Sequence, residues 1–225
     1  MKNSHEYSHY ILTRFNTQDI GGKMLYDDPK KADKWMEERM ELFEKTKESV
    51  LNQAGLFQWV ISIDDRTPDK FIDEIFTDQR MKRVKGDIRQ VFFSRQIKPK
   101  TTHVITSRLD NDDLYCEGAV KAIQALFRFQ VMVIDIKYRQ LDLSTGKEYT
   151  SNREAHNSPF LSLVEPIWYI GTCFCRPHSV LGLEYPTPPS GRLKRIHTTA
   201  ADDKHYAYMV IHGNNVANKI VGEEI

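Results

Sequence analysis

The chain has 225 residues, 40% of them hydrophobic, which is enough for one sizeable core or one domain with a small appended subdomain and too little for two independent domains. Its 32 Lys and Arg balance 31 Asp and Glu, so no global charge draws it to nucleic acid or to a membrane, and any polyanion site must be local. Cys116, Cys173 and Cys175 lack zinc-ligand spacing, no apolar run approaches the ~18 residues of a membrane span, and residues 1–10 are too polar for a signal peptide, so the expectation is a soluble cytoplasmic protein with reduced thiols.

In chain order, residues 10–16 read as a first strand, with Gly21-Gly22 marking the loop after it. Asp28-Pro29 starts a helix whose stripe of Trp35, Met36, Met40, Phe43 and Val50 is core packing, and Gly55 supplies the stop. Residues 57–63 form a short apolar run ending in Asp64-Asp65, the pattern of a buried parallel strand. Thr67-Pro68 caps a helix carrying Phe71, Ile72, Ile75 and Phe76. Residues 88–93 and 103–109 are predicted strands, and Val120, Ile123 and Phe127 mark another helix. Residues 131–136 and 148–150 flank Ser144-Thr145-Gly146-Lys147, which predicts a hairpin and antiparallel strands joining the sheet late. Residues 167–174 are a further strand candidate, with Cys173 and Cys175 on one face, and residues 184–191 read as an extended proline-rich loop.

The run Arg108-Leu109-Asp110-Asn111-Asp112-Asp113 puts three carboxylates within four residues where a buried strand meets solvent. Carboxylates this close repel one another, and hard oxygen ligands of this kind suit Mg2+ or Mn2+ holding a phosphate. The competing reading is an ordinary polar turn. An EF-hand loop is excluded, because Leu114 falls at the next ligand position and Tyr115 where the sharp-turn glycine belongs. In an open α/β sheet, ligands sit beyond the carboxyl ends of the parallel strands. Asn16, Asp64-Asp65 and Asp110 to Asp113 all fall at such ends, so three strands aim polar groups at one crevice.

Four ordered segments resemble GT-A glycosyltransferases, most closely their rhamnosyltransferase-like family: residues 10–16, Ile61-Ser62-Ile63-Asp64-Asp65, Arg108 to Asp113, and Val210-Ile211-His212-Gly213-Asn214-Asn215. The resemblance spans most of the chain. It implies an α/β GT-A (nucleotide-diphospho-sugar transferase) fold with a mixed, mostly parallel sheet flanked by helices and a small antiparallel acceptor-side extension. Residues 1–225 would form a single domain, with 1–113 the nucleotide-sugar-binding half and 114–225 the acceptor-side half. It further implies a nucleotide-sugar donor held by Thr13, Arg14, Asn16, Asp64, Asp65, Arg66, Arg108, Asp110 and Asp113. A Mn2+ or Mg2+ cofactor would be held by Asp110 and Asp112 in the DxD manner, with His212 completing the coordination.

Breaking the bond between sugar and nucleoside diphosphate develops charge on the leaving phosphates, which a divalent cation stabilises. An inverting transfer also needs a base for the acceptor hydroxyl. In similar enzymes an acidic pair follows the acceptor-side strand, here residues 171–176, which points to Asp203 with Asp202 beside it; Asp at a helix start is also an ordinary cap. The usual Asp-Gly-Ser after the nucleoside strand is replaced by Asp65-Arg66-Thr67-Pro68, which leaves the donor base open and makes Arg66 a candidate phosphate contact.

Residues 82–100 carry Lys82, Arg83, Lys85, Arg89, Arg95, Lys98 and Lys100 against Asp87 alone, and Arg192, Lys194 and Arg195 form a second basic group. Such clusters are either a solvated face or an acceptor-side anion site. The acceptor is therefore expected to be a glycan or a hydroxymethylated base in phage-type DNA. Two other classes use the same acids: a metal-dependent phosphodiesterase or nuclease, and a non-catalytic sugar-nucleotide-binding module.

Overall fold

A computed structural model of the chain describes residues 6–17, 25–151, 158–174, 204–213, 220 and 222–225, and the backbone of 194–197. The first half alternates strand and helix: β1 (Tyr7–Arg14), α1 (Pro29–Leu51), β2 (Gln58–Ile63), α2 (Asp69–Ile75), β3 (Met81–Lys85) and β4 (His103–Arg108). After these come β5 (Leu114–Tyr115), α3 (Ala119–Ala125), β6 (Met132–Asp135), β7 (Tyr138–Asp142), β8 (Glu148–Thr150), β9 (Leu161–Pro166), β10 (Lys194–His197) and β11 (Ala207–Ile211).

Local chemistry accounts for α1. The Asp28 carboxylate accepts the Lys31 N–H, Pro29 needs no partner at the first helical position, and Ala32, Met36, Met40, Phe43 and Val50 recur at helical spacing to bury one stripe. The main sheet has the order β10-β6-β9-β4-β1-β2-β3. Its pairs are parallel except where β9 runs antiparallel to both β4 and β6. This is the mixed, mostly parallel α/β sheet expected for a GT-A fold.

Alternation along the strands divides the core in two. Ile11, Phe15, Trp59 and Ile61 face the three described helices, packing on Met36, Phe43, Phe71 and Val120. Tyr10, Leu12, Val60 and Val104 face the other way, onto Ile88, Val91, Ile97, Ile170 and Phe174. Among the described residues no helix lies on that second face; a 3-10 turn and loops cover it. Among the described residues, too, no helix is long and apolar enough to cross a membrane.

Several expectations are corrected. Residues 88–93 do not form a strand: the edge strand is β3, and Ile88–Gln90 is a 3-10 turn. In β3 only Met81 and Val84 are buried, so its polar residues mask the strand, whereas Ile88 and Val91 bury at the i, i+3 spacing of a helical turn. The hairpin forms at the predicted turn, with Gly146 at φ 70°, but its first arm is β7; residues 132–135, buried on both faces, belong to the main sheet. The second sheet, in the order β5-β11-β7-β8, is also mixed rather than antiparallel, because β11 and β7 run parallel. Residues 167–174 are a loop after β9, with Thr172 at φ 69°. The Thr67 hydroxyl donates back to the Asp64 carbonyl instead of capping α2. Cys175, Gly21-Gly22 and residues 184–191 lie outside the described residues.

Candidate active site

The order of the main sheet reverses at β1: β2 and β3 extend to one side, and the chain then returns to lay β4 on the other. Ligand crevices form outside the carboxyl ends of strands at such a switch point. The residues at that point are Arg14, Phe15 and Asn16 after β1, and Arg108 to Asp113 after β4.

Arg108 lies opposite Leu12 in the parallel register, so it and Arg14 project from the same, loop-covered face. Both guanidinium groups stack on one ring, that of Phe174, at 4.8 Å for Arg14 and 5.1 Å for Arg108. Arg108 also forks onto Asp110, with Nη2 to Oδ2 at 2.9 Å and Nε to Oδ1 at 3.3 Å. Burial opposes the charge on Arg108, but Asp110 outweighs it and holds the group above its ordinary range. Among the described residues Arg14 has no such partner: its Nε is buried and unbonded, and burial followed by repulsion from Arg108 lowers its proton affinity. Two adjacent guanidiniums with an unsatisfied buried donor have the charge and the fork geometry that suit an anion with at least two charged oxygens.

The acidic run is fixed from both sides. Asn111 donates to the Phe15 carbonyl at 2.7 Å and accepts from the Thr46 hydroxyl through its own carbonyl at 3.3 Å, tying the run to β1 and α1. Asp112 accepts through Oδ2 from Arg39 Nη1 at 2.6 Å and from His212 Nε2 at 3.0 Å. Burial pushes its carboxyl up, but these two partners outweigh that and hold it below the usual range. Asp113 is only 3% exposed and accepts the Val210 N–H of β11 at 3.0 Å. Burial, then repulsion from Asp112 and Asp110, raises its carboxyl well above the usual range.

The donor residues expected on β1 and β2 form a tightly bonded frame. Thr13 faces the helix side, fully buried, donating to the Leu109 carbonyl at 2.8 Å and accepting from Trp59 Nε1 at 2.9 Å. Asn16 joins the exits of β1 and β2 by donating to the Thr67 hydroxyl and accepting the Asp64 N–H, each at 2.8 Å. Arg66 folds onto its neighbour Asp64, donating Nε to Oδ1 at 2.9 Å and Nη2 to Oδ2 at 2.8 Å, and lowers that carboxyl. The same guanidinium, half exposed, reaches Asp27 at 3.3 Å and lies 5.8 Å from the Tyr26 ring centre. Asp65 is exposed and pairs with Lys85 at 3.3 Å. Asp202, Asp203, Asn214 and Asn215 lie outside the described residues.

Of the three expected metal ligands, Asp112 and His212 meet, although 100 positions separate them. Asp110 is engaged by Arg108. Among the described residues no three His, Cys, Asp or Glu are gathered as a coordination cluster. The two carboxylates are of the kind that suits Mn2+ or Mg2+, but for Asp110, Asp112 and His212 to meet on one cation the Arg108 fork must open and Asp112 Oδ2 must be released from Arg39. Two further residues have no signal in the sequence. Arg39 looks like any cation on an amphipathic helix, and Phe174 like one more core aromatic.

No curated protein matches the chain. Among solved structures, 4-diphosphocytidyl-2C-methyl-D-erythritol synthase from Anaerococcus prevotii DSM 20548 is similar with a TM-score of 0.42 and 12% identity, over 85% of this chain and 87% of that one. Residues 21–221 match the family described as "Putative rhamnosyl transferase", a stretch that holds the exits of β2 and β4, the acidic run and His212 but begins after Arg14 and Asn16. The match covers most of the chain, and the protein therefore belongs to that family, which its description places among the glycosyltransferases.

Proposed function

We propose that the protein transfers a sugar from a nucleotide-sugar donor to a hydroxyl of a glycan acceptor, with inversion, using Mn2+ or Mg2+. The observation that carries this reading is the pair Arg14 and Arg108 on Phe174 at the switch point, beside the acidic run. A diphosphate matches both the charge and the fork geometry of these guanidiniums. They neutralise the leaving group as the glycosidic bond breaks, when negative charge grows on its oxygens. The nucleoside then extends toward the exit of β2, where Asp64 and Asp65 accept from ribose or base and Arg66 offers a half-exposed guanidinium.

Asp110, Asp112 and His212 would hold the cation, which supplies Lewis-acid stabilisation of the leaving diphosphate when bound. Asp203, with Asp202 beside it, takes the proton from the acceptor hydroxyl. A glycan is favoured over DNA because the basic stretch is partly neutralised within the chain: Lys85 pairs with Asp65 and Arg89 with Asp87. Lys82 and Lys85 are exposed on the edge strand, where lysine serves to block strand pairing.

The test is mass spectrometry after incubation with a panel of nucleotide sugars, in Mn2+ or in EDTA, with glycan or hydroxymethylated DNA acceptors. Metal-dependent consumption of one donor with a mass gain on a glycan is expected. Transfer to DNA moves the acceptor assignment. Phosphodiester cleavage without transfer, or donor binding without turnover, refutes the enzyme reading.

A further inference from the structure

We propose that the 170–174 loop is the positioning element of the diphosphate subsite, with Phe174 as the platform that holds Arg14 and Arg108 and Glu165 as the anchor that holds the loop. The inference rests on the reading that these two arginines take the donor diphosphate.

Glu165, the penultimate residue of β9, is fully buried. A buried carboxylate is costly unless its oxygens are bonded. Here they accept the N–H groups of Gly171 at 2.7 Å and Thr172 at 3.0 Å, so the side chain closes the turn that follows its own strand. Thr172 sits at φ 69°, a left-handed conformation that a β-branched residue adopts only when its surroundings impose it. Cys173 N–H then donates to the Thr106 hydroxyl at 2.9 Å, and Phe174 N–H to the Thr172 hydroxyl at 3.3 Å. Thr106 stands on β4 two residues before Arg108 and on the same face, so the loop is tied to the strand that carries the arginine it serves.

These bonds deliver the Phe174 ring to within 4.8 and 5.1 Å of the two guanidinium carbons. Like charges this close repel, and the negative face of an aromatic ring is what lets them stay together before an anion arrives. If Phe174 served packing alone, any apolar side chain of similar volume would do. If it is a platform, a ring is required.

The experiment is a calorimetric titration of the full chain with inorganic pyrophosphate, with melting temperatures recorded alongside. Phe174→Leu is expected to weaken pyrophosphate binding roughly tenfold, and Phe174→Tyr, which keeps the π face, to stay within about twofold of wild type. Glu165→Gln presents an amide N–H toward one of the two loop N–H groups, and is expected to weaken binding in the same direction as Phe174→Leu. It provides a second route if Phe174→Leu fails to fold. Equal affinity in the Leu and Tyr variants, or wild-type affinity in Glu165→Gln, overturns the positioning role while leaving the diphosphate reading in place. Failure of the wild-type chain to bind pyrophosphate overturns both.

Discussion

Replacing Asp112 with asparagine tests the centre of the site on two readouts at once. The side chain is 14% exposed and its Oδ2 is shared by Arg39, itself 11% exposed, and His212. Asparagine keeps an acceptor oxygen but removes the charge, so Arg39 is left as a largely buried cation facing a dipole. Hydrogen bonds to charged groups contribute roughly 1.5–3 kcal/mol each, and breaking a buried ion pair costs about 3–5 kcal/mol. With one acceptor retained and some solvent access, Asp112→Asn is expected to destabilise the fold by about 2–3 kcal/mol. The variant is therefore not neutral to the fold, as its place in an acidic turn suggests. Urea denaturation of Asp112→Asn, Arg39→Met and the double variant closes a cycle in which the double variant loses less than the sum of the two. The pH dependence has a definite sign. Asp112 is depressed in the folded state, so its contribution is present above the ordinary Asp pKa of about 3.9 and lost as pH falls through the lower folded value. Turnover, measured separately, should fall by several orders of magnitude. Additive losses with no shortfall in the cycle would refute the pairing, and near-normal transfer would refute the metal role.

Asp113 has the opposite sign. Its carboxyl is raised in the folded state, so wild-type stability should decline as pH climbs from the ordinary Asp value toward the folded one, and Asp113→Asn should flatten that decline without loss of stability at neutral pH; denaturation at a series of pH values checks this, and marked destabilisation at pH 7 would count against a neutral side chain. Thr13→Val leaves the Trp59 N–H and the Leu109 carbonyl without their partner and should cost about 1–3 kcal/mol in a melting or denaturant assay. Nucleotide affinity should not change, and a drop in it with stability intact would return Thr13 to the donor contacts. Asp203→Asn should preserve donor binding and abolish transfer; retained transfer moves the base elsewhere.

What was legible beforehand rests on short-range physics. The cap at Asp28, the stripe from Met36 to Val50 and the nearly continuous apolar run of β2 each report their own structure, because a helix or a doubly buried strand is set by neighbours a few positions away. Strand exits followed from those elements, and with them the position of Asp64 and of the acidic run. Edge strand β3 and the loop at 167–174 escaped for the same reason in reverse: one is polar because its outer edge meets solvent, the other apolar because Glu165 folds it back into the core.

Partnership was not readable at all. Nothing in the order of residues says that Asp110 answers to Arg108 while Asp112, two positions on, answers to Arg39 and His212, or that Asp113 turns away to hold β11. Asp110, Asp112 and Asp113 share one composition and one local propensity, yet they take different partners, and the carboxyls of Asp112 and Asp113 are shifted in opposite directions. Burial and the charges brought up from α1, from the strand before and from 100 residues downstream separate them, and those long-range terms come into being only when the sheet has closed.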